Sequence, residues 1–244
     1  NPDFSPNDIY TVTDRKKALP IVLVGTTAGT GSEVGRVSVL TSPETGRKKS
    51  IAPDDCYPTL SFADSTYTES MPYDITVSTA LDALSHALEG YMSIKCSDIP
   101  TLFGERAIEL IWEGLKYLHC KKTLPDSTLR EKLYYGSLYA GVTLAYCGTA
   151  FPHPLGYILT ENYGIPHGKA CTVFMEDFIK RSSEFEKEKT QRALSVMGTD
   201  INEFIKVINE LTAVTDIRMT EEEIEKYTNE IKITETSWID IEYE

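Results

Sequence analysis

At 244 residues and 41% apolar content, the chain is long enough to bury a sizeable core, as one large domain or two small ones. Its 37 acids against 24 bases leave a net charge of −13, which argues against a general nucleic-acid binder, because the phosphate backbone demands basic surface. No run reaches the roughly 18 apolar residues of a membrane span, no secretory signal is visible, and the five scattered cysteines form no C-x-x-C pair, so the expectation is a cytosolic chain with inert thiols.

Residues 1 to 19 are rich in Asn, Pro, Asp and Lys without sustained periodicity and read as a linker. Pro20-Ile-Val-Leu-Val-Gly25 follows, a continuous β-branched run that predicts a strand buried on both faces with a neighbour on each side. Thr26-Thr-Ala-Gly-Thr-Gly-Ser-Glu33 comes directly after it. Its glycines nearly spell a dinucleotide fingerprint, but that motif needs a helix next, and Arg36-Val-Ser-Val-Leu-Thr41 alternates like a strand. The Walker pattern also fails, for want of Gly-Lys-Ser/Thr. The loop is left as a tight turn or as backbone and threonine hydroxyls that approach a ligand closely. Pro43 to Gly46 is a turn, Arg47-Lys-Lys49 a local basic cluster, and Tyr57 to Ala63 a further short strand.

From residue 71 the pattern turns helical. Between Pro72 and Ser93, Leu81, Leu84, Leu88 and Tyr91 form one apolar stripe at a period of 3.6, with Asp82, His86 and Glu89 as a polar ladder beside it. A carboxylate and an imidazole at i and i+4 reach one ion without backbone movement, although the same spacing also describes an ordinary surface pair. Helical patterns recur near 99–119, 127–148 and 168–181, with shorter ones at Ile201–Leu211 and Thr220–Ile231, and Trp238–Tyr243 ends in weak alternation. His153 and His167 sit 14 residues apart in Pro/Gly punctuation, where side chains can be aimed inward, whereas His119 reads as an ordinary surface residue. Asp82, His86, His153 and His167 together make a three-nitrogen, one-oxygen set suited to Fe(II) or Zn(II) and poorly suited to calcium or magnesium.

Thr26 to Val34, Asp82-Ala-Leu-Ser-His-Ala-Leu-Glu89, His153-Pro-Leu-Gly and Gly164-Ile-Pro-His-Gly168 together resemble, in order and spacing, the successive signatures of the iron-containing alcohol dehydrogenases. The match covers roughly residues 18 to 180. The resemblance implies that Asp82, His86, His153 and His167 hold the metal, that Thr26, Thr27 and Thr30 line a nicotinamide cofactor, NAD(P), and that Lys48 bonds its ribose. It also implies a small alcohol or aldehyde as substrate, polarised by the metal during hydride transfer, and side-by-side dimers.

The expected architecture is mainly α: a multi-helical metal-binding domain over 71–244, preceded over 1–70 by a small β-rich remnant of an α/β nucleotide-binding lobe. The family's Gly-Gly-Gly-Ser pyrophosphate loop is not present in this sequence, so the chain resembles the C-terminal part of such an enzyme and is expected to be weakly active or inactive alone. Where many members carry a proton-relay histidine four residues after the third ligand, this chain has Tyr157, a poorer base near neutrality. The competing reading is a non-catalytic metal-binding or assembly domain that lost its nucleotide lobe. Metal-assisted hydrolysis fits the ligand set equally well but leaves the Thr/Gly loop unexplained.

Overall fold

The computed structural model describes residues 6–10, 19–44, 46, 48–215 and 217–233. Most of the expected N-terminal linker, Arg47 of the basic cluster, and the alternation at Trp238–Tyr243 lie outside those residues.

The strands come first. The run after Pro20 gives β1 (Val22–Val24), the alternating segment gives β2 (Ser38–Thr41), and β3 (Lys48–Ile51) and β4 (Leu60–Phe62) complete the set among the described residues. β2 and β3 form an antiparallel hairpin in the register Ser38 to Ile51 and Thr41 to Lys48, while β1 pairs in parallel with β4. The expectation that β1 is buried on both faces with two neighbours is corrected here. Among the described residues it pairs with β4 alone, and Val22, Val24, Leu60 and Phe62 are all exposed. A continuous apolar run reports that a strand is fit for burial; a partner from elsewhere in the structure has to cover it.

Nine α-helices follow among the described residues: α1 (Tyr73–Met92), α2 (Asp98–Lys121), α3 (Ser127–Cys147), α4 (Pro152–Tyr163), α5 (His167–Thr172), α6 (Met175–Phe185), α7 (Lys187–Met197), α8 (Ile201–Thr212) and α9 (Glu221–Ile233). The single apolar stripe expected for α1 understates its burial: 16 of its 20 residues are buried, so the helix runs through the centre of the bundle. Ala80, Ala83, Ala87 and Gly90 on its other faces let neighbouring helices approach where a larger side chain would hold them off; a Cβ on Gly90 would meet Thr143 of α3 at 2.9 Å. Leu81, Leu84 and Leu88 have no exposed surface and join Ile108, Ile111 and Leu115 of α2 and Tyr134 of α3 in one continuous core. Cutting any of these leucines to alanine costs about 2–5 kcal/mol at sites this close-packed.

The helix ends follow local chemistry. Asp126 caps α3 by accepting from Leu129 N–H, and Asp200 caps α8 by accepting from the N–H groups of Asn202 and Glu203. The helix expected at 168–181 is two helices, broken at Val173–Phe174. Conversely, α4 occupies a stretch whose prolines suggest a break. Pro152 and Pro154 fall within the first turn, where a missing N–H costs no intrahelical bond. His119, expected at an ordinary surface, is partly buried and bonded to the Glu210 carboxylate at 2.6 Å, tying the end of α2 to α8.

Candidate metal centre

Three histidines converge on Asp82 at the middle of α1. Asp82 Oδ1 lies 3.7 Å from His153 Nε2, 3.7 Å from His167 Nε2 and 4.0 Å from His86 Nε2. These separations are too long for hydrogen bonds but near what donors around one ion show when each stands about 2.0–2.2 Å from it. Asp82 and His86 are presented by adjacent turns of α1, His153 by the first turn of α4, and His167 by the first residue of α5. Gly168 lets α5 come this close, since a Cβ there would overlap the Ser78 carbonyl oxygen on α1.

The polar atoms at this point are not satisfied by the protein. Asp82 Oδ1 and His153 Nε2 are buried with no hydrogen-bond partner, a costly arrangement unless another group completes it. The other nitrogen of His153 is fully used: Nδ1–H donates to Glu89 Oε1 at 2.6 Å, and Glu89 Oε2 accepts from Ala150 N–H at 2.8 Å. That fixes the ring and leaves Nε2 aimed at Asp82, the arrangement by which a carboxylate orients a metal-binding imidazole.

Electrostatics point the same way. Burial alone would raise Asp82, but His86, His153 and His167 around it hold its carboxyl below the usual range. Burial pulls His86 down to about 4 against the attraction of Asp82, so its lone pairs are available near neutrality. Burial also opposes protonation of His153, yet Glu89 and Asp82 overcome it and raise that imidazole to about 10. Without an ion, the raised His153 imidazolium balances one of the two buried carboxylates, and a divalent cation at Nε2 would take the place of that proton.

Cys171 was not foreseen. Its sulfur lies 3.8 Å from His167, and its ligand atom stands with those of Asp82, His153 and His167 in a group all within 4.8 Å of one another; this tightest group includes the cysteine and leaves out His86. The signal was available, for His167 and Cys171 stand at i and i+4 on one short helix. Burial, with Asp82 and Glu89 adding to it, raises the thiol well above its usual range, so it meets the site as a neutral group. His86, for its part, stacks on His153 at 4.4 Å.

A cavity of about 330 Å³ opens on this cluster, lined by Asp82, His86, His167 and Tyr157, by Thr30 and Lys48, and by Val37, Val39, Leu144 and Ala145. Of the residues expected to meet a cofactor, Thr30 and Lys48 are therefore on its wall, while Thr26 and Thr27 are not. The glycine loop that carries Thr30 packs tightly onto α3, with Gly31 at φ +55 and a Cβ there overlapping the Ser137 carbonyl oxygen. Tyr157 stacks flat on His167, ring centres 5.2 Å apart, and burial raises its phenol further above the range of a useful base.

A family model described as "Fe-containing alcohol dehydrogenase family, C-terminal" matches residues 76–234, and one described as "Iron-containing alcohol dehydrogenase" matches residues 3–65. The chain is 30% identical over 223 residues to the 4-hydroxybutyrate dehydrogenase of Clostridium kluyveri, covering 86% of this chain and 60% of that protein. Among solved structures, an iron-containing alcohol dehydrogenase from Thermotoga maritima superposes with a TM-score of 0.82 at 35% identity, over 93% of this chain and 61% of the other. The sulfoacetaldehyde reductase of Bifidobacterium kashiwanohense, solved in complex with NAD+, superposes with a TM-score of 0.78 at 33% identity, over 87% and 58%. The chain thus spans about 60% of the length of these relatives. With the family models covering both its strand segment and its helical bundle, the chain belongs to the iron-containing alcohol dehydrogenase family.

Proposed function

We propose that this chain contributes the metal-bearing half of an NAD(P)-dependent oxidoreductase acting on small alcohols and their aldehydes or ketones, with Asp82, His86, His153 and His167 as the metal ligands. The observation that carries the reading is the buried, unpartnered Asp82 Oδ1 with three imidazole nitrogens 3.7–4.0 Å away. Bound there, a divalent ion supplies Lewis acidity towards an alcohol or carbonyl oxygen, and a nicotinamide supplies the hydride acceptor or donor.

The rest is done by side chains of this protein. Glu89 holds the His153 ring in one tautomer through Nδ1–H. Thr30 and Lys48 stand on the cavity wall where a polyhydroxylated, anionic cofactor can be held, and the Lys48 backbone N–H is anchored to the Glu161 carboxylate at 2.6 Å. Val37, Val39, Leu144 and Ala145 keep the reacting face apolar and restrict water. Residues 1–70 serve the cofactor side and residues 71–244 the metal side, so the cavity between them is the place of hydride transfer. Because the chain spans about 60% of the relatives' length, turnover by these 244 residues alone is expected to be weak or nil.

Titrating metal-loaded protein with NADH and NADPH, followed by nicotinamide fluorescence, tests this reading. Saturable binding of either cofactor, weakened about tenfold in Lys48→Ala by loss of one charge-assisted contact, supports it. No binding of either would take the cofactor-side role away from Thr30 and Lys48. A second expected outcome concerns Glu89→Gln, which keeps the shape but not the charge behind His153. Metal affinity should fall about 10–100-fold while far-ultraviolet circular dichroism stays unchanged. Competition with a chelator of known affinity measures it.

A further inference from the structure

α4 does more than supply His153. Gly156, Tyr157 and Thr160 follow that residue at three, four and seven positions, so all four share one face of the helix. Gly156 lets α5 come close to this face, since a Cβ there would stand 2.9 Å from the backbone nitrogen of Cys171. His167, the first residue of α5, is then met twice by α4. Tyr157 stacks on its ring with the planes 5° apart, and Thr160 Oγ1 lies 3.4 Å from its Nδ1.

Which partner donates in that last contact follows from the hydrogens available. A threonine hydroxyl has one. Thr160 gives it to the Gly156 carbonyl oxygen, which can only accept, at 2.9 Å. Towards His167 the same Oγ1 is therefore an acceptor, so Nδ1 carries the imidazole hydrogen and Nε2 the lone pair. Nε2 is the nitrogen that stands 3.7 Å from the unpartnered Asp82 Oδ1. Cys171 does not compete for the ring. Its sulfur lies 3.8 Å from both nitrogens, and because their in-plane directions diverge, an atom equally far from the two is in line with neither.

We infer that Thr160 is a positioning residue for His167, holding its imidazole in the Nδ1–H tautomer through a relay from Nδ1–H to the Thr160 hydroxyl to the Gly156 carbonyl. The relay does with a neutral hydroxyl and a main-chain carbonyl what Glu89 does for His153 with a carboxylate. His167 has the greater need of it. Its side chain is 30% exposed, against 8% or less for Asp82, His86 and His153, so water reaches this ring and lets its hydrogen exchange between the two nitrogens. A hydrogen on Nε2 would occupy the direction in which an ion has to bind. The inference rests on the reading of His167 as a metal ligand.

Long-range proton–nitrogen correlation on the metal-free full chain, with nitrogen-15 in its histidines and at about pH 8, above the ordinary histidine value of about 6.5, reads the tautomer of each ring directly. The chain has four histidines, and the signals missing from His167→Ala are those of His167. Nδ1–H is the expected form. Thr160→Val, which keeps the shape and removes the hydroxyl, should move the ring towards Nε2–H, and Thr160→Ser should restore Nδ1–H. Zn(II) affinity, measured by chelator competition, should fall about tenfold or more in the valine variant and return in the serine variant. Nε2–H in the unsubstituted chain would overturn the inference, as would a valine variant whose tautomer and affinity do not change together. An unsubstituted chain that binds no Zn(II) while His167 is in the Nδ1–H form would overturn the ligand reading instead, and with it the role of Thr160 towards a metal.

Discussion

Protein carrying His153→Ala, purified without oxygen and reconstituted with Fe(II) or Zn(II), is expected to hold less than about a tenth of the metal that the unsubstituted chain holds at about one ion per chain. The side chain is 2% exposed, and its Nε2 is one of the buried atoms left without a partner in the protein. Alanine removes that donor and also strands Glu89, whose carboxylate loses the imidazole it holds at 2.6 Å. Breaking a buried pair from one side costs roughly 3–5 kcal/mol, so this variant should lose stability even without metal. His167→Ala is the informative companion. Its side chain is 30% exposed, and Asp82, the buried carboxylate it faces, keeps His86 and His153 beside it, so metal should be lost with little change in the metal-free melting temperature. Full metal occupancy in both variants would remove the site. Cys171→Ala and His86→Ala settle the fourth position: retention in the first and loss in the second supports the imidazole, and the reverse would assign the sulfur of the tightest group.

Gly168→Ala should destabilise the chain by about 3 kcal/mol or more, a fall of roughly 6–12 °C in melting temperature for a protein of this size. The position lies in α5 against the backbone of α1, where the added methyl would overlap the Ser78 carbonyl oxygen and stand 2.8 Å from Asp82 N. Neither is the end of a flexible side chain, so α5 has to move away from α1 and takes His167 with it. The effect should appear in metal-free protein, because its origin is steric, and metal binding should weaken in parallel. Gly164→Ala provides the scale. That residue has φ +67 at the end of α4 with nothing within 4 Å of its added methyl, so only the left-handed conformation is penalised, by about 1 kcal/mol. Equal melting temperatures for the two variants would contradict the close packing of α5 on α1.

The polar ladder on α1 was legible in the sequence because a helix turns local spacing into geometry: residues at i, i+4 and i+7 share a face whatever the rest of the chain does. Asp82 and His86 are therefore placed together by their own helix, and the order and spacing of four motifs were enough to indicate the family. Three of the four described strands, β1, β2 and β4, were also found by their local pattern, each shorter than the run that announced it, whereas β3 falls on the basic cluster, which announced no strand. What local pattern cannot carry is contact between distant segments. Only the folded chain brings His153 and His167 to Asp82 across 71 and 85 residues, sets Glu89 behind His153, adds Cys171, leaves Thr26 and Thr27 off the cavity wall, and leaves β1 with β4 as its described neighbour. Those choices are made by how small residues such as Gly31, Gly90 and Gly168 let whole elements approach, and such packing leaves no period in the sequence to read.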